Sequence, residues 1–168
     1  VSSMMDRFGR GVILEDDLVI QPGALKFFDS ALARYEEARR VMQISGYQFS
    51  VELSQSAQSP EEVPGVEVDF LRITTSWGWA TWSRAWNAYQ RYNKNEFPWS
   101  NEDEKADFDL GGVFPYSSML TNAIEGRSHS WAIHWYGRVW ERRGLVAYPS
   151  RSFIVNEGFD GSGTNCGE

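Results

Sequence analysis

The chain has 168 residues, 42% of them hydrophobic and 23% charged, with a formal net charge of −7. That length and balance suit one globular domain with a sizeable core. The acidic excess argues against nucleic acid as a partner, because phosphate backbones need a basic footprint, and against a basic patch held to anionic lipid.

No apolar run approaches the roughly 18–20 residues of a membrane span. The one cysteine, Cys166, can form no internal disulfide, which fits a reducing compartment. Eight tryptophans and an aromatic fraction of 15% stand out. Aromatic rings fill cores and also stack on the C–H faces of sugars, and core packing is the first reading until position decides otherwise.

In chain order, Gly11-Val12-Ile13-Leu14 reads as a buried strand that ends in three carboxylates, Glu15-Asp16-Asp17. Pro22 suits a helix start, and Leu25, Phe28, Leu32 and Tyr35 recur at helical spacing, which predicts an amphipathic helix over Pro22–Ala38. Val41–Gly46 reads as the next strand, so the order strand, helix, strand predicts an α/β layer. Residues 50–66 read as a polar loop, and Val66–Thr75 as extended chain.

Trp79, Trp82, Trp86 and Tyr89 recur at helical spacing, and the polar run Gln90–Asp109 reads as a mobile loop. Helices are expected at Tyr116–Glu125, before Gly126, and at Trp131–Arg142, before Gly144. Leu145–Tyr148 and Phe153–Val155 read as short strands. The tail Gly158–Thr164 is too rich in glycine for a helix or strand interior.

Three adjacent carboxylates repel one another, and solvent or a cation must compensate them. In open α/β sheets ligands bind beyond the carboxyl ends of the strands. Hard divalent ions take carboxylate oxygens there and share phosphate oxygens with a ligand. Taken alone, the tripeptide reads as a solvated acidic turn before a helix.

The longer context changes that reading. Val12–Leu18 followed by Pro22-Gly23 and an amphipathic helix resembles the metal-site strand and helix of GT-A-fold glycosyltransferases, in the Glu-Asp-Asp form of N-acetylglucosaminyltransferase I and its bacterial relatives. Ile73–Trp82 resembles the Gly-Trp acceptor-side segment of those enzymes. Ser130–Trp135, Gly144–Pro149 and Asn156–Thr164 resemble blocks of bacterial polysaccharide glycosyltransferases.

The resemblance implies an α/β, GT-A-like fold, with residues 1–168 as the catalytic-side portion of a domain truncated at its N-terminus, ahead of which a nucleotide-binding half is expected. It implies sugar transfer from a nucleotide-sugar donor to a glycan acceptor, in cytoplasmic synthesis of a surface polysaccharide, peripheral at the inner membrane. By the same resemblance Asp17 holds Mn²⁺ or Mg²⁺, Glu15 and Asp16 lie by the donor, and Trp77, Gly78 and Trp79 lie by the transferred sugar and acceptor. Asp160, Gly161, Ser162 and Gly163 belong to a loop over the donor.

Two positions depart from the pattern. Asn165 stands where relatives have histidine, and Ser128–His134 lacks the carboxylate expected of a general base. His129 becomes the candidate base, since histidine titrates near working pH, with Asp109 and Glu125 as alternatives and His134 expected to be packed or at the surface. If the expected upstream strands complete the sheet, the isolated chain leaves an open edge strand and uncovered apolar surface beneath helix Pro22–Ala38. A non-catalytic carbohydrate-binding module and a glycoside hydrolase are the competing readings; neither needs a nucleotide.

Overall fold

The computed structural model describes residues 1–49 and 66–156. Helix α1 (Ser2–Phe8) leads into strands β1 (Arg10–Ile13) and β2 (Leu18–Ile20), helix α2 (Ala24–Arg34) and strand β3 (Val41–Ser45). Strands β4 (Val68–Leu71) and β5 (Trp79–Trp82) follow, then helices α3 (Ser83–Trp86), α4 (Glu102–Phe108), α5 (Tyr116–Ile124) and α6 (Ala132–Glu141). Strands β6 (Leu145–Pro149) and β7 (Ile154–Asn156) close the described chain.

Five strands form one mixed sheet in the order β1-β5-β3-β6-β4, and β2 pairs with β7 in a separate two-stranded ribbon. β3 and β6 run parallel, while β1–β5, β5–β3 and β6–β4 are antiparallel. The architecture is therefore mixed α/β, as the alternation of strand and helix patterns predicts.

Helices cover both faces. Along β1 and β5 the pleat sends Val12, Ala80 and Trp82 toward α2, and Ile13 and Trp79 toward α6. On the first face Phe27, Phe28, Ala31 and Leu32 of α2 pack on Val41, Ile44, Ala80 and Ala147. Each such fully buried large side chain contributes roughly 1.5–3 kcal/mol. On the second face Trp135 and Val139 of α6 meet Met42, Trp79 and Trp86. Outside α6 a further cluster joins Phe108, Leu120, Ile133, Tyr136 and Trp140.

Several expectations change. The α2 helix is shorter than Pro22–Ala38: Gly23, at φ 92°, ends the preceding turn, and Tyr35 closes the helix. Leu25 lies outside the apolar face, 62% exposed. That face is covered by strands of this same chain, so uncovered apolar surface beneath α2 does not follow. β1 does remain an edge strand.

The tryptophan spacing is misleading, because Trp79–Trp82 is a strand hydrogen-bonded on both sides, to β1 and to β3. In a strand a separation of three sends Trp79 and Trp82 to opposite faces. Within the expected loop Gln90–Asp109, α4 forms because Asn101 accepts the Glu104 N–H at 2.9 Å while Glu104 accepts the Ser100 N–H at 2.7 Å. This is a reciprocal cap, with three acids in the first turn to complement the helix dipole. α5 and α6 lie within a residue or so of their expected ranges. The loop read at residues 50–66 falls almost wholly outside the described residues.

Candidate functional site

β1 ends at Ile13, and the chain turns through Glu15-Asp16-Asp17 into β2. Asp16 and Asp17 are exposed, and Glu15 is half-buried. Burial first, then the charges of Asp17 and Asp16, raise the Glu15 carboxyl above its ordinary range. The repulsion anticipated among three adjacent acids is thus present, and a nearby cation would relieve it. Among the described residues no three carboxylate, histidine or cysteine side chains converge to hold a metal by themselves. Exposed carboxylates in general can share a magnesium ion with phosphate oxygens.

The strand that runs into the acidic turn, β1, pairs with β5. Ile13 pairs with Trp79, and the Leu14 side chain lies beside Gly78. Gly78 has φ +59°, and a Cβ there would stand 2.7 Å from Ile154 Cγ1 and 3.4 Å from Leu14 Cδ2. Glycine is required at this position by its backbone and by Ile154. The side chains of Ile154 and Leu14 thus lie close against this backbone. The Gly78 carbonyl accepts the Gly46 N–H at 2.8 Å, and the Gly46 carbonyl accepts the Phe153 N–H at 2.8 Å. The ends of β1 and β3, the start of β5 and the entry to β7 are thereby tied together.

Residues 72–78 run across the α6 face on fixed anchors. The Tyr148 hydroxyl donates to the Ile73 carbonyl at 2.8 Å, and the Gln43 amide donates to the Thr75 carbonyl at 2.7 Å. The Trp135 indole N–H donates to Gln43 Oε1 at 2.7 Å, which completes that buried amide. Burial raises the Tyr148 phenol, so it stays protonated and remains a donor.

Between this segment and the α5–α6 pair lies a cleft of about 220 Å³. Its walls are Phe49, Trp77, Phe114, Tyr116 and Met119, and Thr74, Thr75, Ser76 and Ser130 also line it. Trp77 is half-buried, with its ring against the edge of Tyr47 at a centroid distance of 4.7 Å. A larger depression of about 510 Å³ lies at the other end of β1, by Arg10 and Arg84. Arg84 is committed there to the carbonyls of Tyr35, Glu36 and Val41, at 2.8–2.9 Å, and so caps the end of α2.

No family model matches the chain, and no curated protein matches it.

The expected site residues separate into three groups. Glu15, Asp16 and Asp17 follow β1 and Trp77 precedes β5, at the same end of these paired strands. Trp79 does not join them at the surface: it is 0% exposed and stacks on Trp131 at 5.5 Å, so no face of its ring is open to a sugar. Asp160, Gly161, Ser162 and Gly163, with Asn165, lie outside the described residues.

Among the candidate bases, His129 is exposed in the α5–α6 loop, directly before cleft-lining Ser130. His134 is packed in α6 as expected; its Nδ1 accepts the Tyr92 N–H at 3.1 Å. Asp109 accepts both the N–H and the hydroxyl of Ser117 at 2.6 Å, which anchors the first turn of α5. Glu125 is paired with Arg127.

Sequence reasoning did not find Gln43, Phe114, Tyr116, Met119 or Ser130. Gln43 carried a signal, as a lone amide within the apolar run Val41–Ile44. The others are ordinary residues whose convergence depends on how α5 and α6 dock.

Proposed function

We propose that the protein is a metal-dependent glycosyltransferase of GT-A type, which transfers a sugar from a nucleotide-diphosphate donor to a glycan. The observation that carries this reading is the pairing of β1, which runs into the acidic turn, with β5, which follows Trp77 of the aromatic cleft. An acidic turn suited to share a cation with a diphosphate and an aromatic surface for a sugar thus flank adjoining strands. The resemblance of the Glu-Asp-Asp strand end and the Gly-Trp segment to GT-A enzymes points the same way.

In this reading Asp17 would hold Mn²⁺ or Mg²⁺, and the chemistry such an ion would supply is charge neutralisation of a diphosphate leaving group. Glu15 and Asp16 face the donor. Trp77 stacks on a sugar. Trp79 serves the same segment from beneath, as core. His129 takes the proton of the acceptor hydroxyl, because Asp109, Glu125 and His134 are each engaged elsewhere.

Titration of nucleotide-diphosphate sugars, with and without Mn²⁺, tests the proposal. Binding is expected only with the metal, and Asp17→Ala should abolish it while leaving stability within about 0.5 kcal/mol, as for an exposed residue. Metal-independent binding, or undiminished binding by Asp17→Ala, would overturn the assignment. Glycan binding without any response to nucleotide would instead favour a carbohydrate-binding module.

A further inference from the structure

We propose that the cleft between Trp77 and Met119 is a subsite for one uncharged sugar ring presented by its apolar face, and that it rejects acidic sugars. The transferase reading enters only in assigning this ring to the acceptor.

The first observation is charge. The chain carries 39 charged side chains, 16 basic and 23 acidic, yet among the described residues none of them lines this cleft. The charged groups that act on its wall residue Tyr136 are Arg72, Asp107 and Asp109, and they are already engaged, Arg72 with Asp107 and Asp109 with Ser117. The carboxylate of a uronic or sialic acid would lose water here without meeting a cation. An unpaired charge placed in such surroundings is strongly disfavoured, and neighbouring carboxylates add repulsion. The phenols at the cleft add no charge either, since burial raises both Tyr116 and Tyr136 and keeps them protonated.

Size is the second observation. At about 220 Å³ the cleft is smaller than the roughly 300–1,000 Å³ of sites for drug-sized ligands. It suits a single ring.

The third is rigidity of the aromatic walls. Trp77 is braced by Tyr47 at 4.7 Å, Phe114 by Tyr116 at 4.6 Å, and Tyr116 by Tyr136 at 4.4 Å. Platforms already held in place lose little freedom when a ring stacks on them. The mouth continues the same chemistry: Phe114 is 45% and Met119 38% exposed. Ser76 and Ser130 are lining residues, and serine hydroxyls suit the ring's own hydroxyls. An apolar face with hydroxyls at its edge describes a neutral sugar.

Matched pairs of methyl glycosides in the gluco, galacto and manno series provide the test. Each neutral compound is compared with its uronate, which differs only in carrying a carboxylate for the terminal CH₂OH. Binding is read by saturation-transfer NMR and tryptophan fluorescence, with neither nucleotide nor divalent cation present. At least one neutral glycoside should bind, with its uronate weaker by about tenfold or more. Met119→Lys, at a half-exposed position on α5, should narrow or reverse that ratio by supplying a cation. Equal or tighter uronate binding, no binding by any neutral member, or a ratio insensitive to Met119→Lys would each overturn the assignment. Because donor and metal are absent, failure here leaves metal-dependent donor binding standing, and failure of donor binding leaves this ratio standing.

Discussion

Beneath α2 the sheet is closed by phenylalanine and aliphatic side chains, Phe27, Phe28, Ala31 and Leu32 against Val41, Ile44 and Ala147. Beneath and around α6 the buried set includes Gln43, His134 and Arg138 among indoles and phenols. Apolar burial is non-directional, so many side-chain sets of the right volume would close the first face. Buried polar groups need partners in particular places, and those partners determine where backbone can run. Gln43 shows the consequence: it fixes the path of residues 72–78, and that path makes one wall of the cleft. One face supplies stability, and the other supplies stability together with a shaped site.

The strongest way to break this contrast is Phe28→Ala. Phe28 is 0% exposed, and its truncation should lower unfolding free energy by about 3–5 kcal/mol. Denaturant titration gives the value, and the glycoside selectivity of the remaining native protein should not change. A loss below about 1 kcal/mol would deny α2 its leading part in stability.

Gly78→Ala addresses the junction of core and site. A side chain there must adopt φ near +59° and enter the space of Ile154. Left-handed backbone and overpacking cost about 1–3 kcal/mol each. Unlike Phe28→Ala, this change should also move Trp77 and weaken glycoside binding. Unfolding curves and ligand titration on the same variant decide it; a stable variant with normal binding would contradict the role assigned to Gly78.

The smallest effect concerns His134. Burial first, then Arg91 and Arg138, lower its pKa below the ordinary value. The unfolded chain therefore takes up this proton more readily than the folded one. The stability that neutral His134 contributes is present above about pH 6.5 and is lost as pH falls through its lower folded value. Glu15 has the opposite sign: its raised pKa contributes stability at low pH that is lost as pH rises through that value. Unfolding free energy measured against pH should fall on the acid side of 6.5 or so. In His134→Gln, which keeps an acceptor for the Tyr92 N–H, that part of the slope should flatten. An unchanged slope would show that the polar α6 face is not coupled to this proton.

The sequence by itself determined the elements whose pattern is local. The apolar period of α2, the helices α5 and α6 with Gly126 and Gly144 beyond their ends, and the strand that runs into Glu15-Asp16-Asp17 were legible because 3.6-residue and two-residue repeats record which side will be buried. Tertiary structure decided the rest. Trp79–Trp82 satisfies a helical spacing equally well, and only pairing with β1 and β3 makes it a strand. That Gly78 must be glycine depends on Ile154, which takes the space a side chain would need. The cleft gathers Phe49, Trp77, Met119 and Ser130 from four separate stretches of chain. No local repeat can encode that gathering, because it depends on how helices dock and on which buried polar groups find each other across the sheet.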